Sequence, residues 1–103
     1  MIETFTKETF ASRLNTTFRV RLDAENTLDL ELVEATGDDD AGEQPRRQIH
    51  FSAIFRSPPD KFLMQRSYRM EHDDLGEFDL FIVPIAKDEK GFYYEAVFNR
   101  IVR

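Results

Sequence analysis

The sequence predicts a mainly β (α+β) fold: a small six-stranded antiparallel barrel or bent sheet with one short N-terminal helix. Three observations lead to this prediction. Apolar and polar residues alternate in four segments of the chain, which is the period of a strand with one buried face, and two further segments between turns complete six predicted strands. Turn-forming residues separate these segments at short intervals. Ten Phe and three Tyr residues supply large apolar side chains for one aromatic core.

The length of the chain predicts one domain. A chain of 103 residues is long enough to bury one core and too short to divide it between two. Hydrophobic residues make up 41% and charged residues 33%, a balance typical of a globular protein rather than a disordered one. We therefore expect residues 1–103 to fold as a single unit.

The helix is predicted near the N-terminus, over about residues 7–14. Thr6 is a suitable N-cap residue, and Phe5 and Phe10 stand at the positions of a hydrophobic staple. Asn15 can end the helix, since Asn tolerates a left-handed backbone conformation.

The six strands follow where the period of the sequence changes to two. Charged residues on the first two strands suggest a cross-strand arrangement in which Arg19 and Arg21 oppose Asp29 and Glu31. The predicted strands cover about residues 17–23, 27–35, 48–56, 66–72, 77–85 and 92–101.

The fifth strand, 77–85, is apolar on both faces, which is typical of a central strand. Pro84 predicts a bulge or a strand end, because proline has no N–H for the ladder. Asp79 interrupts this run, and a lone buried carboxylate is costly. We expect Arg69 or Arg56 to pair with Asp79, which makes this carboxylate a structural pin.

One cluster of polar residues stays open for function. His72 precedes two carboxylates and, with Arg69 and Asp79, could line a small-molecule or metal site in the mouth of a barrel. The alternative is a simple turn after His72. No catalytic, cofactor-binding or metal-ligating residue is assigned, and Arg56, Arg69, His72 and Asp79 are treated as an interaction or structural cluster.

Several classes of function lack support in the sequence. There is no GxSxG elbow, no Gly-rich phosphate loop and no Cys, so we expect neither an enzyme nor a cofactor. The acidic run at 38–40 lacks the ligand spacing of a calcium loop, and residues 37–45 are expected to form an exposed loop. A net charge of −6 argues against nucleic acid.

A membrane partner is also not expected. No apolar run approaches the length of about 20 residues that a membrane span needs. The first residues lack the basic and apolar stretches of a secretory signal, which predicts a cytoplasmic protein or one incorporated in an assembly made there.

Several phrases of the sequence together resemble an uncharacterised bacterial family of small, mostly β domains of unknown function. The phrases are YRMEH at 68–72, LG at 75–76, DLF at 79–81, VP at 83–84 and YEAVFN at 94–99. The resemblance implies no active site, and it associates some members with phage-tail collar or fibre-like proteins. This chain departs from the family pattern at Met64 and Arg66, where relatives carry Pro and Gly, so the loop before the fourth strand is expected to differ in shape.

The leading functional hypothesis is a non-catalytic protein-interaction or assembly module, whose partner is another protein. Recognition would use a sheet edge or the loops at 37–45 and 57–61. One alternative is a small-molecule or metal-binding β-barrel. Another is an acidic inhibitor occupying a basic groove, which predicts residues 38–40, Asp73 and Asp74 on one face.

Overall fold

A computed structural model describes residues 5–38 and 47–102 as one helix and six strands. All of the strand pairings are antiparallel, and together they close a barrel, which confirms the predicted fold class. The elements are α1 Lys7–Ala11, β1 Thr17–Arg21, β2 Thr27–Asp38, β3 Arg47–Ser57, β4 Arg66–His72, β5 Gly76–Asp88 and β6 Gly91–Val102.

Closure of the barrel pairs strands that are distant in sequence. The order around the barrel is β1-β2-β3-β6-β5-β4, and β4 returns to β1 through the pairs Arg19 with Glu71, Val20 with Met70, and Arg21 with Arg69. Each strand therefore pairs with two neighbours over at least part of its length. Beyond Glu95, the described part of strand β6 pairs only with β3.

Helix α1 begins as predicted and ends early. Thr6 is the N-cap; its N–H donates to the Thr9 Oγ1 at 2.9 Å, and the Thr9 N–H donates to the Thr6 Oγ1 at 3.3 Å. Ser12 is the C-cap, so the prediction that Asn15 ends the helix is wrong, although Asn15 does adopt a left-handed backbone with a φ of 67°. The prediction of a helix to residue 14 is wrong, because the chain turns away after Ala11 and the Asn15 N–H donates to the Leu32 carbonyl at 2.7 Å.

The helix fills one end of the barrel with Phe10, which is fully buried. Its ring lies 5.2 to 6.5 Å from rings on three strands, at edge-to-face, tilted and stacked angles that suit aromatic quadrupoles. Phe5 packs on Phe10 at 5.6 Å, which confirms the predicted staple. The strand residues around Phe10 are Phe18 on β1, Phe51 and Phe55 on β3, and Phe98 on β6.

Strand β5 is covered on one face only. Phe78, Leu80 and Ile82 point into the core, whereas the ring of Phe81 is 50% exposed on the outside. The prediction of a central strand buried on both faces is therefore wrong. The bulge predicted at Pro84 is confirmed, since the register with β6 shifts between Pro84 and Ala86.

The arginines of β1 pair with a different strand from the one predicted. Arg19 stands opposite Asp29, as expected from the sequence, but its side chain contacts Glu71 and Asp73 instead. Arg21 also pairs with Glu71, at 2.7 Å. These ion pairs follow the seam where β1 meets β4, and strand alternation alone does not reveal that neighbour.

The predicted loop at 37–45 lies mostly outside the described residues. Its first two residues continue β2, where Gly37 pairs with Phe51 and Asp38 with His50. Within the described part of the chain, no helix is long and apolar enough to cross a membrane.

Candidate functional site

The four residues of the predicted cluster do not form one site. Arg69 and Asp79 meet on the outside of the barrel, whereas His72 points into it. Arg56 forms an ion pair with Glu31 of β2. Alternation along β4 explains the separation, because Arg69 and His72 are an odd number of residues apart and so face opposite sides.

Asp79 has the partner that the sequence suggested, in a different environment. It stands opposite Arg69 in the β4–β5 register, and the Arg69 Nε lies 3.3 Å from the Asp79 Oδ1. The two side chains are 51% and 69% exposed, so the expectation of a buried carboxylate is wrong. An exposed pair of this kind contributes little to stability and does not pin the core.

His72 is buried at the end of β4 and has partners on both ring nitrogens. The Asp74 N–H donates to the His72 Nδ1 at 3.0 Å, which leaves the proton of the neutral ring on Nε2. Nε2 lies 3.0 Å from the Thr16 Oγ1, which in turn donates to the Arg13 carbonyl. The ring thereby connects the β4–β5 turn to the segment between α1 and β1.

The environment of His72 favours the neutral imidazole. Its ring centroid lies 4.4 Å from that of Phe18, and burial lowers the pKa of His72. Asp74 opposes this effect without overcoming it. Since both nitrogens are engaged within the fold, His72 acts as a structural connector rather than as a group presented to a ligand.

Arg56 belongs to a second concavity on another part of the surface. This hollow, of about 260 Å³, lies between the β1–β2 hairpin and the β5–β6 turn. Arg56 and Glu31 form their ion pair in this hollow, and Lys90 also lines it. Arg56 is therefore not the partner of Asp79, and its charge is already balanced.

The alternative of a metal site gains no support from the described residues, among which no group of three His, Cys, Asp or Glu residues converges. The acidic-inhibitor alternative depends partly on residues 38–40, whose side chains lie outside the described part of the chain. Asp73 and Asp74 are exposed, and each lies beside an arginine, Arg19 and Arg13 respectively.

The strongest candidate site is built by the segment between β3 and β4, which closes the end of the barrel opposite α1. Four hydrogen bonds, two of them buried, fix this segment. The Tyr94 hydroxyl accepts from the Leu63 N–H at 2.9 Å and also bonds the Ser57 Oγ at 2.9 Å. Ser57 donates to the Lys61 carbonyl at 2.8 Å, and the Tyr68 hydroxyl donates to the Met64 carbonyl at 2.7 Å.

A groove of about 430 Å³ lies beside this segment, which we call the 62–69 groove. Its lining comes from the end of β1, the β3–β4 segment and the start of β4. The apolar lining is Leu22, Phe62, Leu63 and Met64. The polar lining is Arg21, Arg66, Ser67, Tyr68 and Arg69.

Three apolar side chains of the 62–69 groove are open to solvent. Phe62 is 54% exposed, Met64 70% and Leu22 48%. Phe62 keeps one side against the barrel, with its ring 5.0 Å from that of Phe92. Neighbouring apolar side chains left exposed in a concave surface are typical of binding sites.

The charge of the groove is opposite to that of the whole chain. Arg21, Arg66 and Arg69 all line it, and no described lining residue is acidic. The Arg66 guanidinium lies 5.2 Å from the centre of the Tyr68 ring, a cation–π contact. Among the described residues, no carboxylate lies within ion-pair distance of Arg66.

Most of this groove lies outside the segments that the sequence predicts for recognition. One predicted recognition loop covers residues 57–61, whereas the exposed side chains follow at 62–64. A usable signal was present: Phe62, Leu63 and Met64 form an apolar run just after a Pro-Pro-Asp turn, outside any alternating segment. The contribution of Arg21 and Leu22 is not visible locally, because the barrel must close to bring β1 beside β4.

Comparison with known proteins assigns a family without a function. The model of the family described as "Domain of unknown function (DUF6916)" matches residues 5–98. The chain belongs to this family, which confirms the expectation of an uncharacterised domain of unknown function. Neither a curated protein nor a solved structure gives a significant match.

Proposed function

We propose that this DUF6916 domain is a non-catalytic protein-interaction module that binds another protein in the 62–69 groove. The observation that carries the proposal is the exposure of Phe62 and Met64 on a segment whose backbone is fixed by the buried Tyr94 hydroxyl. Phe, Tyr, Met and Arg are the residue types enriched at protein interfaces, and all four line this groove.

The fixed backbone matters for affinity. A loop that must become ordered on binding loses conformational entropy, and that loss weakens the complex. Here Leu63 is anchored in the core, so its neighbours Phe62 and Met64 are presented without that loss. A partner gains the burial of their exposed surface, at roughly 25 cal/mol per Å² before the costs of association.

The non-catalytic character is supported by the placement of the reactive side chains. His72 is enclosed with both nitrogens bonded, and Arg69 and Asp79 pair on the opposite face of the sheet. General acid–base chemistry needs its groups within hydrogen-bond reach of one substrate. These residues do not share such a position.

We extend the proposal to the setting of the partner: a component of a phage-tail-like or fibre-associated system. The resemblance of the sequence supports this extension. It predicts that the encoding gene lies beside genes for tail or fibre components and that the partner is the product of one of them. A neighbourhood of metabolic genes would count against the extension and leave the interaction module itself untouched.

The test compares two variants of the tagged domain as baits in lysate of the source cells. The double variant Phe62→Ser/Met64→Ser removes two of the three exposed apolar side chains of the groove and leaves Leu22. The control Phe81→Ser removes an exposed ring of similar accessibility from the outer face of β5. Captured proteins are quantified by mass spectrometry, and circular dichroism checks that each variant is folded.

We expect one partner to be captured equally by wild type and Phe81→Ser, and to be reduced at least tenfold by the groove variant. Equal capture by all three proteins would show that the groove is not the interface. Loss in Phe81→Ser alone would move the interface to β5.

A further inference from the structure

We infer that the 62–69 groove selects a partner segment in which a carboxylate stands next to apolar residues. This inference rests on the proposed function and adds the chemistry of the partner.

The first observation is a pair of like charges at the seam of the barrel. Arg21 and Arg69 are direct cross-strand partners where β1 meets β4. Like charges directly opposite each other destabilise a sheet. Each guanidinium bonds a carboxylate on β4 or β5, Arg21 with Glu71 and Arg69 with Asp79. Glu71 is shared with Arg19, so it does not neutralise Arg21 alone.

The second observation concerns the contacts of the Arg66 side chain. Its guanidinium lies over the Tyr68 ring and has no carboxylate partner among the described residues. A guanidinium held in this way presents its N–H groups in a planar fork that matches a carboxylate. Burial raises the pKa of the adjacent Tyr68, which keeps that phenol neutral and a hydrogen-bond donor to the Met64 carbonyl.

The third observation is the apolar surface beside these charges. Phe62, Met64 and Leu22 line the same groove as Arg66. A ligand that satisfies both kinds of surface carries an acidic group flanked by aliphatic or aromatic side chains. An acidic protein segment meets this description.

Other anions fit less well. Nucleic acid and anionic membranes carry many negative charges over a long surface, and this chain has a net charge of −6. Long-range repulsion outside the groove therefore disfavours them. A short acidic segment places its charge only where the three arginines lie.

The test begins with a random twelve-residue peptide library displayed on phage and panned against the folded domain. The strongest peptide is then synthesised in two forms, one with its Asp and Glu residues and one with Asn and Gln in their place. Fluorescence anisotropy measures the affinity of each form for wild type, Arg66→Ala and Lys90→Ala. Lys90 is exposed in the β5–β6 turn, so both substitutions remove one positive charge from the chain.

We expect enrichment of Asp or Glu beside apolar residues. The acidic form should bind wild type about tenfold more tightly than the amide form, as loss of a charge-assisted hydrogen bond implies. Arg66→Ala should remove most of this preference, and Lys90→Ala should retain it. Raising NaCl from 50 to 300 mM should weaken the acidic form selectively, as for any charge pair.

Different failures separate the two proposals. In one outcome, the acidic and amide forms bind with equal affinity and Arg66→Ala has no effect, while Phe62→Ser/Met64→Ser abolishes binding. The inference of an acidic partner segment would then be wrong, and the proposal of an interaction groove would be supported. If no peptide is enriched, or if the enriched peptides bind the groove variants as tightly as wild type, this inference is wrong too. The groove would then be supported as an interface only by the capture experiment in lysate. A third outcome is that the wild-type domain sediments with phosphatidylserine vesicles and the Arg66→Ala variant does not. This outcome would show that the groove binds a membrane surface instead of an acidic protein segment.

Discussion

The hydroxyl of Tyr94 on β6 accepts the backbone N–H of Leu63 at 2.9 Å, and this buried contact joins the β3–β4 segment to the core. Both residues are buried. Because this hydrogen bond is buried, losing the phenol would leave the Leu63 N–H without an acceptor, so the bond helps the 62–69 groove to keep its shape.

The first prediction concerns that contact. Tyr94→Phe keeps the ring and removes the hydroxyl, leaving the Leu63 N–H without its acceptor. We expect the free energy of unfolding to fall by about 1–3 kcal/mol and amide exchange at residues 61–64 to accelerate. Urea titration and hydrogen exchange measure the two effects. Tyr93→Phe removes a surface hydroxyl that bonds Asp88 and should change neither, so a similar loss in both variants would contradict the anchoring role.

The second prediction concerns acid. Burial lowers the pKa of His72 below the ordinary 6.5, so the unfolded chain binds a proton at a higher pH than the fold does. Stability is therefore complete above pH 6.5 and declines as the pH falls from 6.5 toward the lowered pKa. Urea titrations between pH 5 and 8 should show this decline in wild type, and His72→Asn should reduce it. His50→Asn, at an exposed position, should keep the wild-type profile; the same slope in all three proteins would contradict the assignment.

The third prediction concerns two glycines with positive φ. A Cβ at Gly91 would lie 1.8 Å from the Ser57 carbonyl oxygen, whereas a Cβ at Gly76 would have nothing within 4 Å. Gly91→Ala should therefore destabilise the fold by about 3 kcal/mol, since backbone must move. Gly76→Ala should cost only about 1–2 kcal/mol for its backbone conformation. Thermal unfolding of the two variants compares them, and equal losses would show that steric contact at Gly91 is unimportant.

The fourth prediction concerns the seam between β1 and β4. The guanidinium of Arg21 holds the pKa of Glu71 below its ordinary value, so this carboxylate stabilises the fold above pH 4.5 and loses its effect as the pH falls through the lowered pKa. Glu71→Gln should lower the melting temperature at neutral pH, and less so in 1 M NaCl.

Glu77 provides the matched control for the seam. It stands opposite Glu71 in the β4–β5 register and forms no ion pair among the described residues. Glu77→Gln removes the same charge and should leave the melting temperature unchanged or slightly raised, because it relieves a pair of like charges. A larger loss in Glu77→Gln than in Glu71→Gln would contradict the role of the seam.

The local sequence is sufficient to predict that the helix and the six strands exist. Alternation predicts four of the strands, and the turns around 77–85 and 92–101 delimit the other two. Thr6 and Phe5 predict the start of α1, and Pro84 predicts the bulge in β5. These features depend on the spacing of apolar residues and on backbone chemistry within a few residues, so the local sequence is enough to predict them. The ends were less certain: α1 stops at Ala11, because residues further along pair with β2.

Which face of a strand is buried, and which distant side chains meet, were decided only by the tertiary structure. Strand β5 carries apolar residues on both sides, so alternation could not tell that Leu80 lies inside while Phe81 and Asp79 lie outside. The 62–69 groove likewise needs both Arg21 and Arg66 in its lining, although 45 positions separate them in the chain. Closure of the barrel brings these two arginines into one groove. Closure depends on all of the strand pairings together, so no single segment of the sequence reveals it.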